Sequence, residues 1–269
     1  MTSAIKTCND NKVYLSQFFR IIDEEANPDI YKVAQDSEYY IGAVHENEVE
    51  NGKQLVQMLL DKGNRNIGLI GWEQGDATWL GRWQGYQEGI EEWNEANPDD
   101  QAKLSEPQYA GTSSDGGSKA AEALMSADDT IDALIPAGGG GDPLQGAIAA
   151  VERAGKVDDI DIVSTDFLPD LGERLENGSM AGESGGHYCD PLYAFMMVYN
   201  AIKGNYTDIG GNFVDVEFPY LYVSSPEDYA AYEKYFVDQL PYTSEEIVEI
   251  SEMSLDDMIA KAQSLSIED

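Results

Sequence analysis

Short apolar stretches alternate with helical patterns along most of the chain, and this order constrains the fold more than any other feature. The stretches NIGLIGW, IDALIPA and DIDIVSTD carry apolar side chains without a strict polar–apolar alternation, which is typical of strands buried on both faces. Between them, residues 48–63 place their apolar side chains on one helical stripe. The sequence therefore predicts an α/β fold, with parallel sheets flanked by helices on both faces.

The individual elements follow from the same periodicities. Strands are expected over residues 12–19, 38–45, 66–72, 131–137, 159–166 and 212–223, with an extended piece at 106–111. Helices are expected over residues 48–63, 78–93, 116–127, 142–155 and 190–204, followed by an acidic helical tail. In that tail, Tyr229, Tyr232 and Phe236 share one face and are expected to pack in the core.

Two helix starts are marked by side chains that can accept backbone hydrogen bonds. Asp142 precedes Pro143 and is expected to cap one helix. Ser225 precedes Pro226, and Asp228 three residues later completes the pattern of a capping box. Both helices are expected to begin at these residues.

The charge of the chain excludes two classes of partner. Fifty-one acidic and sixteen basic residues give a net charge of −35, which repels nucleic acid and anionic lipid alike. No apolar run approaches the ~20 residues of a membrane span, so neither nucleic acid binding nor membrane insertion is expected. The acidic residues are dispersed, which indicates a solvated surface, and adaptation to high salt is one hypothesis for their number.

Metal and catalytic motifs are missing from the sequence. Two cysteines and two histidines, without HExxH or CxxC, predict no metal site and no cofactor. The stretch PAGGGGDP lacks the Lys-Ser/Thr of a phosphate loop, so its glycines are better explained by close backbone approach. Only the proximity of His187 to Cys189 favours an enzyme, and neighbours in sequence seldom face each other, so we predict a non-enzyme.

Polar and aromatic residues gather at the carboxyl ends of the expected strands. They lie at residues 17–20, 72–82, 138–142, 166 and 185–188. The carboxyl ends of strands in open parallel sheets are where ligands bind. These five loops are therefore predicted to meet at one ligand-binding edge.

The order of these segments resembles the type 1 periplasmic binding proteins, which include the ribose-binding-protein-like, sugar-binding relatives and the ligand domains of lactose-repressor-type regulators. GKQLVQMLLDKGNRNIGLIGW followed by RWQGYQEGI is similar to the opening of the family's second lobe. IDALIPA and the later GAIAAVERAGKVDDIDIVSTD are similar to its next strand, helix and strand. The resemblance implies two Rossmann-like lobes that close around a small ligand by hinge motion.

The resemblance also implies site residues. Arg82 looks like the family's sugar-binding arginine and Asp166 like its carboxylate, while His187 falls near a polar contact on the return crossing. Phe19 and Arg20 fall where first-lobe contacts arise. A sugar suits such residues, because arginine and aspartate bond its hydroxyl groups and an aromatic ring packs on its apolar face.

Two further residues complete the predicted site. Trp79 is expected to supply the stacking face, whereas Trp72 and Trp83 are expected to pack in the core. Asp142 is a candidate replacement for an asparagine that the family often places within residues 139–141, here all glycine.

The resemblance predicts a division of the chain. Residues 1–44 and 188–219 match an incomplete first lobe, residues 45–187 a complete second lobe, and residues 220–269 a crossing with a helical tail. The family's opening strand–helix units have no counterpart before residue 12, so a truncated copy is expected. That sheet would then have one face and one edge uncovered. A natural one-and-a-half-lobe protein is the alternative.

The implied function is capture of a sugar or similar polar metabolite for a membrane transporter permease or a chemoreceptor. Intact relatives would be extracytoplasmic, although no signal peptide is predicted in this chain. The alternative is the ligand-sensing domain of a lactose-repressor-type transcription regulator without its DNA-binding part.

Overall fold

The computed structural model describes residues 1–138, 142–206 and 213–267. The strands are β1 (Leu15–Phe18), β2 (Tyr40–Glu46), β3 (Asn66–Gly71), β4 (Lys103–Leu104), β5 (Gln108–Tyr109), β6 (Ala133–Pro136), β7 (Asp161–Thr165), β8 (Gly182–Gly185), β9 (Val214–Phe218) and β10 (Leu221–Val223).

The helices alternate with these strands through most of the chain. They are α1 (Thr2–Asn11), α2 (Pro28–Gln35), α3 (Glu48–Lys62), α4 (Ala77–Ala96), α5 (Ser114–Ala127), α6 (Asp142–Ala154), α7 (Leu171–Asn177), α8 (Asp190–Lys203), α9 (Pro226–Tyr232), α10 (Ser244–Ile250) and α11 (Leu255–Gln263), with a π-helical segment at Glu233–Asp238. No helix of the described part is both long and apolar enough to cross a membrane. The expected α/β architecture is confirmed.

The chain forms two compact units. The first unit contains residues 1–47, 186–219 and 234–269, and the second contains residues 48–185 and 220–233. The predicted division placed residues 220–269 apart from both lobes, whereas here the tail is divided at residue 233.

The first unit is built on a parallel sheet in the order β1-β2-β9. Gly42 in β2 is required there, because its φ is 141° and a Cβ atom would lie 1.6 Å from the carbonyl oxygen of Val214. The consecutive residues Tyr40 and Ile41 point to opposite faces, and each joins a different apolar cluster. Tyr40 packs with α1 and α2, and Ile41 with α8, α10 and α11.

Helices therefore cover both faces of this sheet, and the predicted bare face is wrong. The acidic tail provides part of the cover, through Tyr242, Ile250 and Met258. The outer edge of β1 has no strand partner among the described residues.

The second unit contains a larger sheet. Its order is β10-β8-β7-β6-β3-β4, with β5 also paired to β3, and only β10 is antiparallel to its neighbour among the pairs described. Helices α3 and α4 pack closely because Gly85 faces the backbone of α3, where a Cβ atom would lie 2.0 Å from the carbonyl oxygen of Val49. This close packing sets the position of the first turns of both helices.

Three local predictions need correction. Ser225 caps α9 by accepting the Asp228 N–H, but the Asp228 carboxylate accepts hydrogen bonds from Ser224, so the capping box is absent there. The stretch 212–223 contains two strands, because Pro219 has no N–H to continue the ladder.

The aromatic face of the tail is the third correction. Tyr229, Tyr232 and Phe236 are all half-buried. In the second unit, Tyr229 donates to the Pro169 carbonyl (3.2 Å) and Tyr232 contacts the Phe167 ring. In the first unit, Phe236 packs on another aromatic ring. This face therefore makes pairwise surface contacts instead of filling a core.

Candidate functional site

Three predicted site residues share an unusual backbone conformation. Phe19, Asp166 and His187 have φ values of 70°, 73° and 67°, and each lies just after the carboxyl end of a strand. Left-handed backbone is uncommon for residues other than glycine and is unfavourable for a bulky phenylalanine. Such conformations cluster at functional sites, where the surrounding structure enforces them. Both units thus hold predicted site residues in strained loops at strand ends.

In the first unit, His187 is held by two carboxylates. Its Nδ1 lies 3.0 Å from Asp190 Oδ2 and 2.5 Å from Glu46 Oε2. Its backbone N–H donates to the other oxygen of Glu46 in a short hydrogen bond. The ring of Phe19 meets the imidazole edge-on, with ring centroids 4.3 Å apart. The imidazole is therefore fixed in orientation from three sides.

The electrostatics of this group follow from its burial. Burial lowers the pKa of His187, but the neighbouring carboxylates of Asp190 and Glu46 outweigh it and raise the pKa to about 9. Burial raises the pKa of Glu46 to about 7, although His187 acts against this shift. Two buried carboxylates thus compete for one imidazole.

In the second unit, Arg82 is buried, with 3% of its surface exposed. Its Nε donates to Glu48 Oε2 (2.6 Å) and its Nη2 to the Tyr220 hydroxyl (3.4 Å), which in turn donates to Glu48 Oε1 (3.1 Å). Nη1 is buried without a hydrogen-bond partner among the described residues. Burial acts to lower the pKa of Arg82, but Glu48 outweighs it, so the guanidinium stays charged.

The predicted role of Trp79 is wrong, whereas Trp72 and Trp83 pack against the core cluster as expected. Trp79 has no exposed surface and packs in the core with Tyr86 and Ile90, so its predicted stacking face is wrong. The cause is helix phase: Trp79, Trp83, Tyr86 and Ile90 lie on one stripe of α4 that faces the sheet. Trp72 is half-buried, and its ring centroid lies 5.4 Å from Arg82 Cζ.

The loop of Asp166 rests on buried polar contacts. The Asp166 N–H donates to the Ser184 carbonyl (2.7 Å), and Thr165 Oγ1 accepts from both Asn51 Nδ2 (3.2 Å) and Ser184 Oγ (3.1 Å). Next along the loop, the Leu168 N–H donates to the buried Glu183 (2.7 Å). These contacts explain how a left-handed aspartate is maintained.

Two predicted residues are less defined. Arg20 follows Phe19 on the surface, and its carbonyl oxygen accepts from Gln17 Nε2 (2.6 Å). Asp142 begins α6, but its side chain and residues 139–141 lie outside the described part of the chain, so its predicted contact stays a prediction.

Sequence reasoning did not single out four residues that contact Arg82 or His187. They are Glu46, Glu48, Asp190 and Tyr220. Glu46 is the last residue of β2, Glu48 the first of α3 and Asp190 the first of α8. Tyr220 is the first residue of the last segment of the second unit. Acidic residues are so common here that their position alone carried no signal. The short segment HENE at the end of β2 could have directed attention to Glu46 and Glu48.

Comparison with models of protein families identifies one family. A sequence model described as "Periplasmic binding protein domain" matches residues 1–205. No curated protein matches the sequence significantly.

Solved structures provide similar folds. The periplasmic binding protein component of the arabinose ABC transporter from Shewanella sp. ANA-3, bound to α- and β-L-arabinofuranose, has 18% identity and a TM-score of 0.65, covering 93% of this chain and 75% of that chain. A Mycobacterium smegmatis protein in complex with β-D-fucofuranose has 21% identity and a TM-score of 0.61, covering 93% and 74%. A galactofuranose binding protein has 17% identity and a TM-score of 0.65, covering 89% and 76%. At these identities the likeness shows the fold.

Proposed function

The chain belongs to the periplasmic binding protein domain family, and from this premise we propose that it is a solute-binding protein that captures a sugar. The observation that carries the proposal is the left-handed backbone of Phe19, Asp166 and His187 at strand ends. Left-handed backbone at residues other than glycine clusters at binding sites, where the surrounding structure enforces it.

The chemistry of the predicted residues suits a polyhydroxylated ligand. Arg82 Nη1 is a charged donor without a partner among the described residues, and Asp166 is a half-buried carboxylate acceptor. Phe19 exposes 48% of its surface and can pack on the apolar face of a sugar ring. Trp72 takes the aromatic position beside Arg82 that was assigned to Trp79.

Five-membered sugar rings are the ligand class that we propose to test first. Three proteins of similar fold are described with arabinofuranose, fucofuranose or galactofuranose. A furanose and a pyranose of the same sugar carry identical atoms but point their hydroxyl groups differently. A site with few, fixed donors can therefore distinguish them.

The proposed partners follow from the same class of protein. We assign the chain to ABC-type uptake, with a membrane permease as its partner, and a chemoreceptor as a second partner of the loaded form. The proposed location is extracytoplasmic.

Calorimetry with locked ring forms tests the proposal. Methyl β-D-galactofuranoside and methyl α-L-arabinofuranoside are expected to bind, and methyl β-D-galactopyranoside is expected to bind more weakly. Asp166→Asn and Arg82→Gln should each weaken binding by about 1–3 kcal/mol, which is about 5–150-fold. Arg153→Gln is the matched control, because that arginine is exposed on α6 and pairs with Glu122.

The calorimetry and the oligomeric state together distinguish three outcomes. Binding of furanosides that falls in both site variants supports the proposal. Failure of every sugar to bind, or unchanged affinity in both variants, would refute it. A dimer in solution that loosens when ligand is added would favour the regulator domain instead.

A further inference from the structure

We propose that Glu46, His187 and Asp190 form a binding site for a divalent transition metal ion of the zinc type in the first unit. Each residue offers one ligand atom, and these atoms all lie within 4.8 Å of one another. They come from the carboxyl end of β2, the loop after β8 and the first residue of α8. The proposal goes beyond sugar capture and does not depend on it.

Buried oxygen atoms without partners point to a missing ligand. The side chains of Glu46 and Asp190 are 2% and 0% exposed. Asp190 Oδ1 has no hydrogen-bond partner among the described residues, and Glu46 Oε2 lies beside His187 Nδ1 without hydrogen-bond geometry. One proton on Nδ1 cannot serve both carboxylates at once, whereas a metal ion at their centre can bind both and the imidazole.

The ligand set favours zinc over calcium or magnesium. Imidazole nitrogen with carboxylate oxygen suits zinc, whereas calcium and magnesium are bound mainly by oxygen ligands. Three protein ligands would leave a fourth position for water or another ligand, as in open zinc sites. The His187 side chain is 22% exposed, which provides a route for the ion.

Surrounding contacts already orient the proposed ligands. The His187 N–H donates to the second oxygen of Glu46, and the Phe19 ring packs against the imidazole. With Nδ1 on the metal, the imidazole Nε2 carries the proton and acts as a donor. Zinc binding would thus set the tautomer of a residue that sequence reasoning assigned to the sugar site.

Zinc titration of chelator-treated protein tests the site. The competition assay uses a chromophoric zinc indicator in molar NaCl, so that the many surface carboxylates are screened. One equivalent is expected to bind tightly. His187→Gln should weaken that equivalent by more than about 100-fold, because even outer partners of metal ligands contribute 10–100-fold.

His45→Gln is the matched control, since it removes the other histidine of the chain and should leave zinc affinity unchanged. Cobalt absorption gives an independent signal: a visible band should appear with wild type and His45→Gln and be lost with His187→Gln. Asp190→Asn should also lose the band. If one of the two site variants fails to fold, the other still tests the proposal.

Equal zinc affinity in wild type and His187→Gln would mean an adventitious ion only, held by surface carboxylates, and would overturn the proposal. Calorimetry of sugar binding on the same chelator-treated protein separates the two proposals. Sugar binding that persists without a tight zinc equivalent refutes the metal site alone, and loss of sugar binding alone refutes only the proposed function.

Discussion

At Arg82, the surroundings decide how many hydrogen bonds the guanidinium can offer a ligand. Its Nε donates to Glu48 and its Nη2 to the Tyr220 hydroxyl, while Nη1 has no hydrogen-bond partner among the described residues. The aromatic neighbour is Trp72, while Trp79 is fully buried. Residue type alone therefore could not show which donors of Arg82 already have partners in the protein.

The two tryptophans can be separated by mutation. Trp79→Ala should destabilise the fold by about 3–5 kcal/mol, because a large buried side chain leaves a cavity. Trp72→Ala should cost less stability and weaken sugar binding by about 2–30-fold through loss of the contact with Arg82. Denaturant unfolding and calorimetry measure the two effects, and the reverse pattern would contradict this assignment.

Glu183 provides a pH prediction in the second unit. Burial raises its pKa well above the ordinary value, although the Leu168 N–H acts against this shift. The folded protein thus binds this proton more strongly than the unfolded chain, and the stabilising effect is lost as pH rises through the raised pKa. Glu183→Gln can still accept the Leu168 N–H and should raise the melting temperature at pH 8, at about 2–4 °C per kcal/mol.

The gain from Glu183→Gln should shrink as the pH is lowered toward the ordinary glutamate pKa. Glu176→Gln, at an exposed position on α7, is the control and should show no such pH-dependent gain. A gain that is the same at pH 4 and pH 8 would show that the titration of Glu183 is not its cause.

Among the elements, the contact of α3 with α4 matters most to the candidate site, because Glu48 and Arg82 lie on these two helices. The two helices approach closely because glycines face each other. A Cβ atom added to Gly52 would lie 2.2 Å from the Arg82 carbonyl oxygen. In the Arg-x-x-Gly pattern of α4, the position of Arg82 therefore depends on the close contact with α3 that the glycine allows.

Alanine substitutions along α4 test this packing. Gly85→Ala would place a methyl group 2.0 Å from the Val49 carbonyl oxygen and should destabilise the fold by at least about 1–3 kcal/mol. At Gly89→Ala the nearest atoms are 3.5 Å away, so higher helix propensity should stabilise by up to about 1 kcal/mol. Urea unfolding compares the two, and equal effects would contradict the account.

For the whole molecule, charge is the dominant feature. With a net charge of −35, repulsion among acidic residues outweighs the ion pairs that sixteen basic residues can form. The tail shows that this surface still covers a core, since Tyr242, Ile250 and Met258 are buried although the tail is acidic.

Salt should therefore stabilise this protein. Raising KCl from 0.1 M to 2 M shortens the screening length from about 10 Å to a few ångströms and weakens the repulsion. The thermal unfolding midpoint is expected to rise, and sucrose at equal osmolality should produce a smaller rise. Coincident midpoints in low and molar salt would refute the hypothesis of adaptation to high salt.

Local periodicity determined the order and type of most elements, including β3, α4, β6 and β7. The reason is that the spacing of apolar residues in a strand or helix depends only on residues close in sequence. It also placed Phe19 and Asp166 at the carboxyl ends of predicted strands, although in the structure both follow the last strand residue. The left-handed backbone at Phe19, Asp166 and His187 was not predicted, since it depends on contacts made elsewhere in the fold.

Only the tertiary structure decided which side chains are buried and which residues they contact. Trp79 and Trp72 are both aromatic residues near the end of one strand, and packing against the sheet decides which is buried. Glu46 and His187 are 141 residues apart, so no spacing could have joined them with Asp190. A local pattern shows which way a side chain faces on its own element, but burial and hydrogen bonding depend on which distant segments pack against it.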